Sequence, residues 1–149
     1  MDELFMKEAI KQAKKAEKLN EVPIGAVIVK DGKIIAKAYN MREKKMSATA
    51  HAEMLAIDKA CKKLNNWRLS GCSLYVTLEP CPMCAGAMIN SRIERVVFGA
   101  ENPQSGAFGT KLSLNEQELL NHRINVLSGV LKDECAALMN TFFKKLRNR

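Results

Sequence analysis

Phe5, Ala9, Ile10, Ala13 and Ala16 recur at helical spacing, with Lys7, Lys11, Lys14, Lys15 and Lys18 clustered away from them. The pattern predicts an amphipathic helix from Asp2, as its cap, to Leu19, with the lysines on a solvated face. Asn20 to Pro23 interrupts it. Two β-rich runs, Ala26-Val27-Ile28-Val29 and Lys33-Ile34-Ile35-Ala36, then flank Asp31-Gly32, the signal of a short hairpin. Asn40 and the polar stretch from Arg42 to Ser47 follow. A second apolar run, Ala52-Met54-Leu55-Ala56-Ile57-Ala60, predicts a helix opened by His51 and ended by Asn65-Asn66, and Trp67 is expected in the core or an interface. Cys72 to Thr77 reads as a third strand feeding a helix at Pro80. That helix runs through Ala85-Gly86-Ala87-Met88-Ile89 with almost no polar residue before Asn90, so burial on nearly every side is expected, part of it by a second subunit.

Arg95-Val96-Val97-Phe98 is a fourth strand, and a glycine-spaced loop from Gly99 to Lys111 is long enough to carry function. Ser113-Leu114-Asn115-Glu116 has the capping-box pattern and predicts a short helix through Leu119-Leu120. Ile124-Asn125-Val126-Leu127 is a fifth strand. The last helix, Asp133 to Arg149, carries Cys135, Leu138, Met139, Phe142 and Leu146 on one face. This order implies an α/β fold, a three-layer α/β/α sandwich around one five-stranded mixed sheet.

The 149 residues suit a single domain, 1–149. With 47% hydrophobic residues and no apolar run approaching the length of a membrane span, no membrane association is expected. Met1-Asp2-Glu3-Leu4 lacks the basic start and apolar centre of a signal peptide, so a cytoplasmic location is expected. Five cysteines in an unexported chain argue against a disulfide framework, and Cys61, Cys72 and Cys135 read as ordinary thiols. A net charge of +8 favours an anionic partner without identifying it. Lys144, Lys145, Arg147 and Arg149 crowd the end of the last helix, where cations suit a phosphate backbone and the helix dipole equally. Phe143 beside them suits either a base or the core.

The chemistry concentrates in His51-Ala52-Glu53 and Pro80-Cys81-Pro82-Met83-Cys84. One imidazole and two thiolates are three zinc ligands, a catalytic count because the fourth tetrahedral position stays open. With Pro80 at the cap or first turn of a helix, Cys81 and Cys84 share a face, and the positive end of the helix dipole favours thiolates. A carboxylate at Glu53 is close enough to take a proton from water without occupying the metal.

These motifs match the signature of the zinc-dependent cytidine and deoxycytidylate deaminase superfamily. More narrowly, the chain resembles the bacterial tRNA-specific adenosine deaminases, on Glu21-Val22-Pro23-Ile24-Gly25-Ala26-Val27, Thr49-Ala50-His51-Ala52-Glu53, Leu74-Tyr75-Val76-Thr77-Leu78-Glu79-Pro80-Cys81 and Met83-Cys84-Ala85-Gly86-Ala87. The resemblance spans nearly the whole chain. It implies a cytidine-deaminase-like fold, Zn²⁺ on His51, Cys81 and Cys84, Glu53 as the catalytic carboxylate, and hydrolytic conversion of adenosine to inosine at the wobble position of a tRNA anticodon loop. It further implies a homodimer, Asn40 against the target nucleoside, the segment Val22-Pro23-Ile24 lining the pocket, and RNA contact by Asn121, His122 and Arg123, with Phe143 a candidate. Relatives often carry an acidic residue where this chain has Asn102.

Three other readings compete. Deamination of free guanine, cytidine or deoxycytidylate would use the same zinc and Glu53. A non-catalytic RNA-binding module with structural zinc would need a fourth protein ligand from Cys61, Cys72, Cys135 or His122, and leaves Glu53 without a task. A redox reading of Cys81-x-x-Cys84 leaves both His51 and Glu53 unexplained.

Overall fold

Strand residues are apolar on both faces, so the sheet must be covered on both sides. In the computed structural model, which describes residues 1–117 and 121–148, the strands are β1 (Gly25–Lys30), β2 (Lys33–Tyr39), β3 (Cys72–Leu78), β4 (Arg95–Ala100) and β5 (Asn125–Ser128). They form one sheet in the order β2-β1-β3-β4-β5. The β2-β1-β3 half is antiparallel and the β3-β4-β5 half parallel. The helices are α1 (Asp2–Lys18), α2 (Ala52–Leu64), α3 (Pro82–Asn90) and α4 (Lys132–Arg147). Ala26, Ile28, Leu74, Val76, Val96 and Phe98 face α2 and α3, while Val27, Val29, Tyr75 and Val97 face α1 and α4. This alternation produces the three layers, α/β/α, around a five-stranded mixed sheet.

Close packing fixes α1 against β1. A Cβ on Gly25 would overlap the backbone of α1 at Ala9 and Ala13, so only glycine lets the strand start there. Asn65 closes α2 in the left-handed conformation, as the Asn-Asn pair predicts.

Several expectations need correction. Asp2 is not a cap but the first helical residue, and Met1 stands at the N-cap. Its carboxylate instead takes two hydrogen bonds from the Arg95 guanidinium, at 2.9 and 2.8 Å, and one from the Tyr75 hydroxyl at 2.6 Å, tying α1 to β3 and β4. Trp67 is 58% exposed, with the Arg68 and Arg92 guanidinia 4.9 and 5.9 Å from its ring centre. The helix predicted at Pro80 begins at Pro82 with Cys81 as its N-cap, because proline suits the first helical position. Within one chain Cys84, Ala85, Met88 and Ile89 are buried while Pro82, Gly86 and Asn90 are exposed, which leaves the side expected for a second subunit open. The Ser113 pattern gives a 3-10 turn over Leu114–Glu116 without a side-chain cap bond, and Leu119-Leu120 lies outside the described residues, as does Arg149.

Cys61, Cys72 and Cys135 are free thiols, and burial pushes Cys135 up to about 12, as for an inert core cysteine. Among the described residues no helix is long and apolar enough to cross a membrane.

The Arg95 guanidinium holds the Asp2 carboxyl well below the usual carboxylate range. A group depressed on folding contributes stability above its unfolded pKa and loses it as pH falls. Asp2→Asn should therefore cost about 1 kcal/mol at neutral pH, discounted for partial exposure of the pair. The difference in melting temperature from the parent chain should shrink as pH drops below about 4.

Candidate metal and nucleobase site

The loops entering α2 and α3 end side by side, and each donates its N-cap side chain to one point. His51 caps α2 and Cys81 caps α3, both with extended backbone and neither with a side-chain cap bond. These positions ordinarily take Ser, Thr, Asp or Asn, whose oxygens bond the open helix N–H groups. Here the side chains turn to each other instead. His51 Nδ1 lies 3.8 Å from Cys81 Sγ and 3.5 Å from Cys84 Sγ, and all three donor atoms lie within 4.8 Å of one another.

Tetrahedral zinc with ordinary bond lengths would hold an N and an S donor about 3.6 Å apart. The donor set therefore fits zinc in both chemistry and spacing, with room for a fourth ligand. Among the described residues no further His, Cys, Asp or Glu joins the cluster, so Cys61, Cys72, Cys135 and His122 supply no fourth protein ligand.

Electrostatics favour one thiolate even without a metal. A hydrogen bond from the Cys84 thiol, then one from His51, brings Cys81 down to about 4, and the same contact pushes Cys84 up. The bond to Cys81 raises His51. Glu53, one residue into α2, is 4% exposed, and burial pushes its carboxyl up to about 7. It is a buried acid close to the cluster in sequence.

Beside His51 opens a cavity of about 230 Å³, walled by Val22, Ile24, Asn40, Arg42, Leu78, Asn102, Gln104, Ser105, Met139 and Phe143. The structure thus gathers Val22, Asn40 and Phe143 around His51. Pro23 is buried and does not line the cavity. Asn40 is 6% exposed, donates to the Val22 carbonyl at 3.2 Å and accepts from the Arg42 amide at 3.1 Å, which fixes its amide at the cavity rim. Phe143 is 39% exposed and also borders a groove with Gln104, Asn140, Lys144, Leu146 and Arg147.

Asn121, His122 and Arg123 do not join this cavity. Asn121 lies beside the open side of α3, and the His122 ring is 2.7 Å from the Ile93 carbonyl. Ile24, expected with Val22 and Pro23 to line the pocket, does so, whereas nothing in the sequence singles out Arg42, Leu78, Gln104, Ser105 or Met139 as cavity residues. Only the length of the 99–111 loop points toward Gln104 and Ser105. Two buried acids carry no sequence signal either. Glu21, 1% exposed, accepts the Glu43 and Lys44 amides at 3.0 and 2.7 Å, and Glu79 anchors the 102–110 loop.

Comparison with known proteins agrees with this geometry. Residues 1–147 match the MafB19-like deaminase family model. A tRNA-specific adenosine deaminase of Bacillus subtilis is 59% identical over 99% of this chain and 92% of its own length, and one from Aquifex aeolicus is 49% identical over 98% and 96%. Among solved structures, one from a study of A-to-I editing by tRNA:A34 deaminases at the wobble position superposes with a TM-score of 0.88 at 42% identity, covering 91% of this chain and 98% of that one. A guanine deaminase from Nitrosomonas europaea superposes with a TM-score of 0.79 at 27% identity, covering 94% and 83%. The chain belongs to the MafB19-like deaminases and, within them, to the family of the bacterial tRNA-specific adenosine deaminases.

Proposed function

We propose that residues 1–149 form a single zinc-dependent deaminase domain that converts adenosine to inosine at the wobble position of a tRNA anticodon loop. The observation that carries this reading is the Cys2His donor set with a buried carboxylate beside it and a nucleobase-sized cavity opening at His51. Fold alone does not choose the substrate, since a guanine deaminase shares the architecture. Identity of 59% to a tRNA-specific adenosine deaminase, against 36% to a guanine deaminase of Bacillus subtilis, favours tRNA adenosine.

In this reading His51, Cys81 and Cys84 hold the zinc. Zinc on these donors supplies the Lewis acidity that makes water nucleophilic near neutral pH. Glu53 accepts a proton from the attacking water as the C6–O bond forms, delivers it to the ring nitrogen, then takes the remaining proton from the C6 hydroxyl and passes it to the departing amine as C6–N breaks. Adenosine and water thus give inosine and ammonia. A carboxyl raised toward neutrality suits both the accepting and the donating step. The target base must leave its stack to enter a cavity of about 230 Å³, which favours a single-stranded loop. Phe143, Lys144 and Arg147 then border the flanking nucleotides.

A homodimer is part of the proposal. α3 is apolar yet open along Pro82, Gly86 and Asn90, and a recess of about 440 Å³ lies beside it between Ala87, Leu114 and Asn121. A second copy covering that side would complete its burial. Asn121 lies beside it and His122 borders a separate recess with Arg68 and Arg92; with Arg123 they are assigned to RNA outside the target nucleotide. A tRNA-modifying role and the absence of a spanning helix among the described residues accord with a cytoplasmic location.

Glu53→Gln should fold and keep one zinc per chain while kcat for inosine formation on an anticodon stem-loop falls about 10²- to 10⁴-fold. Retained turnover would remove Glu53 from the chemistry. For the stem-loop, log K should fall linearly as log salt rises, with a slope of about −0.7 per phosphate contacted. A salt-independent affinity would point to a neutral nucleoside or base instead.

A further inference from the structure

Glu79 is 1% exposed and, among the described residues, forms no ion pair, so its charge is met by hydrogen bonds alone. Oε1 accepts the Asn102 amide at 3.2 Å and the Thr110 hydroxyl; Oε2 accepts the amides of Phe108 at 3.0 Å and Thr110 at 3.1 Å. A Cβ on Gly106 would lie 2.5 Å from either oxygen, so the loop closes around the carboxylate only with glycine there. Outside its short turn contacts and the Phe108–Ser113 bridge, this loop has no strand pairing to shape it. It nevertheless supplies Asn102, Gln104 and Ser105 to the cavity. At its other end Glu79 is tied to the sheet, donating its amide to the Ala100 carbonyl at 2.9 Å, and Ala107 donates to the Pro80 carbonyl at 2.9 Å.

We infer that Glu79 is a positioning residue. It sets the 102–110 wall of the nucleobase cavity against the turn that leads into Cys81, and touches neither the substrate nor the three donor atoms. Its kinetic consequence rests on the deaminase reading, and the anchoring on geometry alone.

Glutamine at this position keeps the shape but replaces one acceptor oxygen with a donor. The Thr110 hydroxyl can turn and accept, whereas a backbone N–H cannot. The new NH₂ therefore takes the Oε1 side and leaves the Asn102 amide without its acceptor, while Phe108 and Thr110 stay bound.

The test compares the parent chain, Glu79→Gln, Gly106→Ala and the double variant, each zinc-loaded. Three quantities are read: amide hydrogen exchange across 101–112, zinc content, and KM and kcat for an anticodon stem-loop. Gly106→Ala perturbs the same anchor from the loop side and serves if Glu79→Gln fails to fold. Each variant should exchange the Asn102 amide about tenfold faster and raise KM about tenfold, with kcat within about twofold and zinc unchanged. The double variant should be no worse than the more affected single one, because both remove one device.

Unchanged exchange at Asn102 would overturn the anchoring. Faster exchange with unchanged KM would overturn its link to the cavity. Loss of zinc, or a fall in kcat at constant KM, would make Glu79 a support of the Cys81 turn instead. The exchange measurement needs no substrate. A parent chain that left the stem-loop unreacted would therefore count against the deaminase reading while exchange still decided the anchor.

Discussion

Three soft donors from two distant segments must reach one point, and the fold achieves this by starting α2 and α3 at the same end of the sheet. His51 and Cys81 occupy the two N-caps and Cys84 lies one turn into α3, so the donor atoms come within 4.8 Å of one another. The arrangement forgoes two ordinary caps, each worth about 1 kcal/mol. Two helix dipoles pointing their positive ends at the thiolates offset part of that. Much of the surrounding structure serves this convergence. Alanines at 52, 56 and 60 let α2 lie close to the sheet, and the parallel β3–α3–β4 crossover returns the chain behind the cluster.

The same geometry explains why relatives with different substrates share the architecture. Sheet and helices build the donor cluster, and the cavity walls come from the segments around it: Val22 and Ile24 before β1, Asn40 and Arg42 after β2, the loop after β4, and α4. Two buried carboxylates hold the loop walls, Glu21 the one beyond β2 and Glu79 the one beyond β4. Loops fixed to buried charges can differ in exposed side chains without disturbing the donor site. This chain superposes well on both a tRNA:A34 deaminase structure and a guanine deaminase structure.

Legibility in the sequence follows the range of the interactions. The donor motifs are local, so His51, Glu53, Cys81 and Cys84 stand out from the sequence alone. β-rich runs on either side of Asp31-Gly32 give the hairpin, and burial of both faces of β1, β3 and β4 follows from their mostly apolar character. What depends on distant partners is hidden. Asp2 looks like a cap because nothing nearby announces Arg95, 93 residues away. Trp67 reads as core or interface from hydrophobicity, which does not reveal the two flanking guanidinia that hold it outside the core of the chain. Glu79 reads as flanking sequence because its partners are backbone amides 23 to 31 residues on, which leave no side-chain signature. The open side of α3 is hidden for a different reason: an apolar helix does not announce which of its faces its own chain leaves exposed.

The most direct test of the central claim sets substrates against each other. Purified, zinc-loaded protein would be given an anticodon stem-loop with a wobble adenosine and, in parallel reactions, free adenosine, guanine and cytidine, with the deaminated product quantified in each. The expected result is inosine in the loop at a kcat/KM far above that for any free nucleoside or base. Efficient turnover of free guanine or cytidine with the loop untouched would contradict it, leaving the donor site as a deaminase centre for a small substrate.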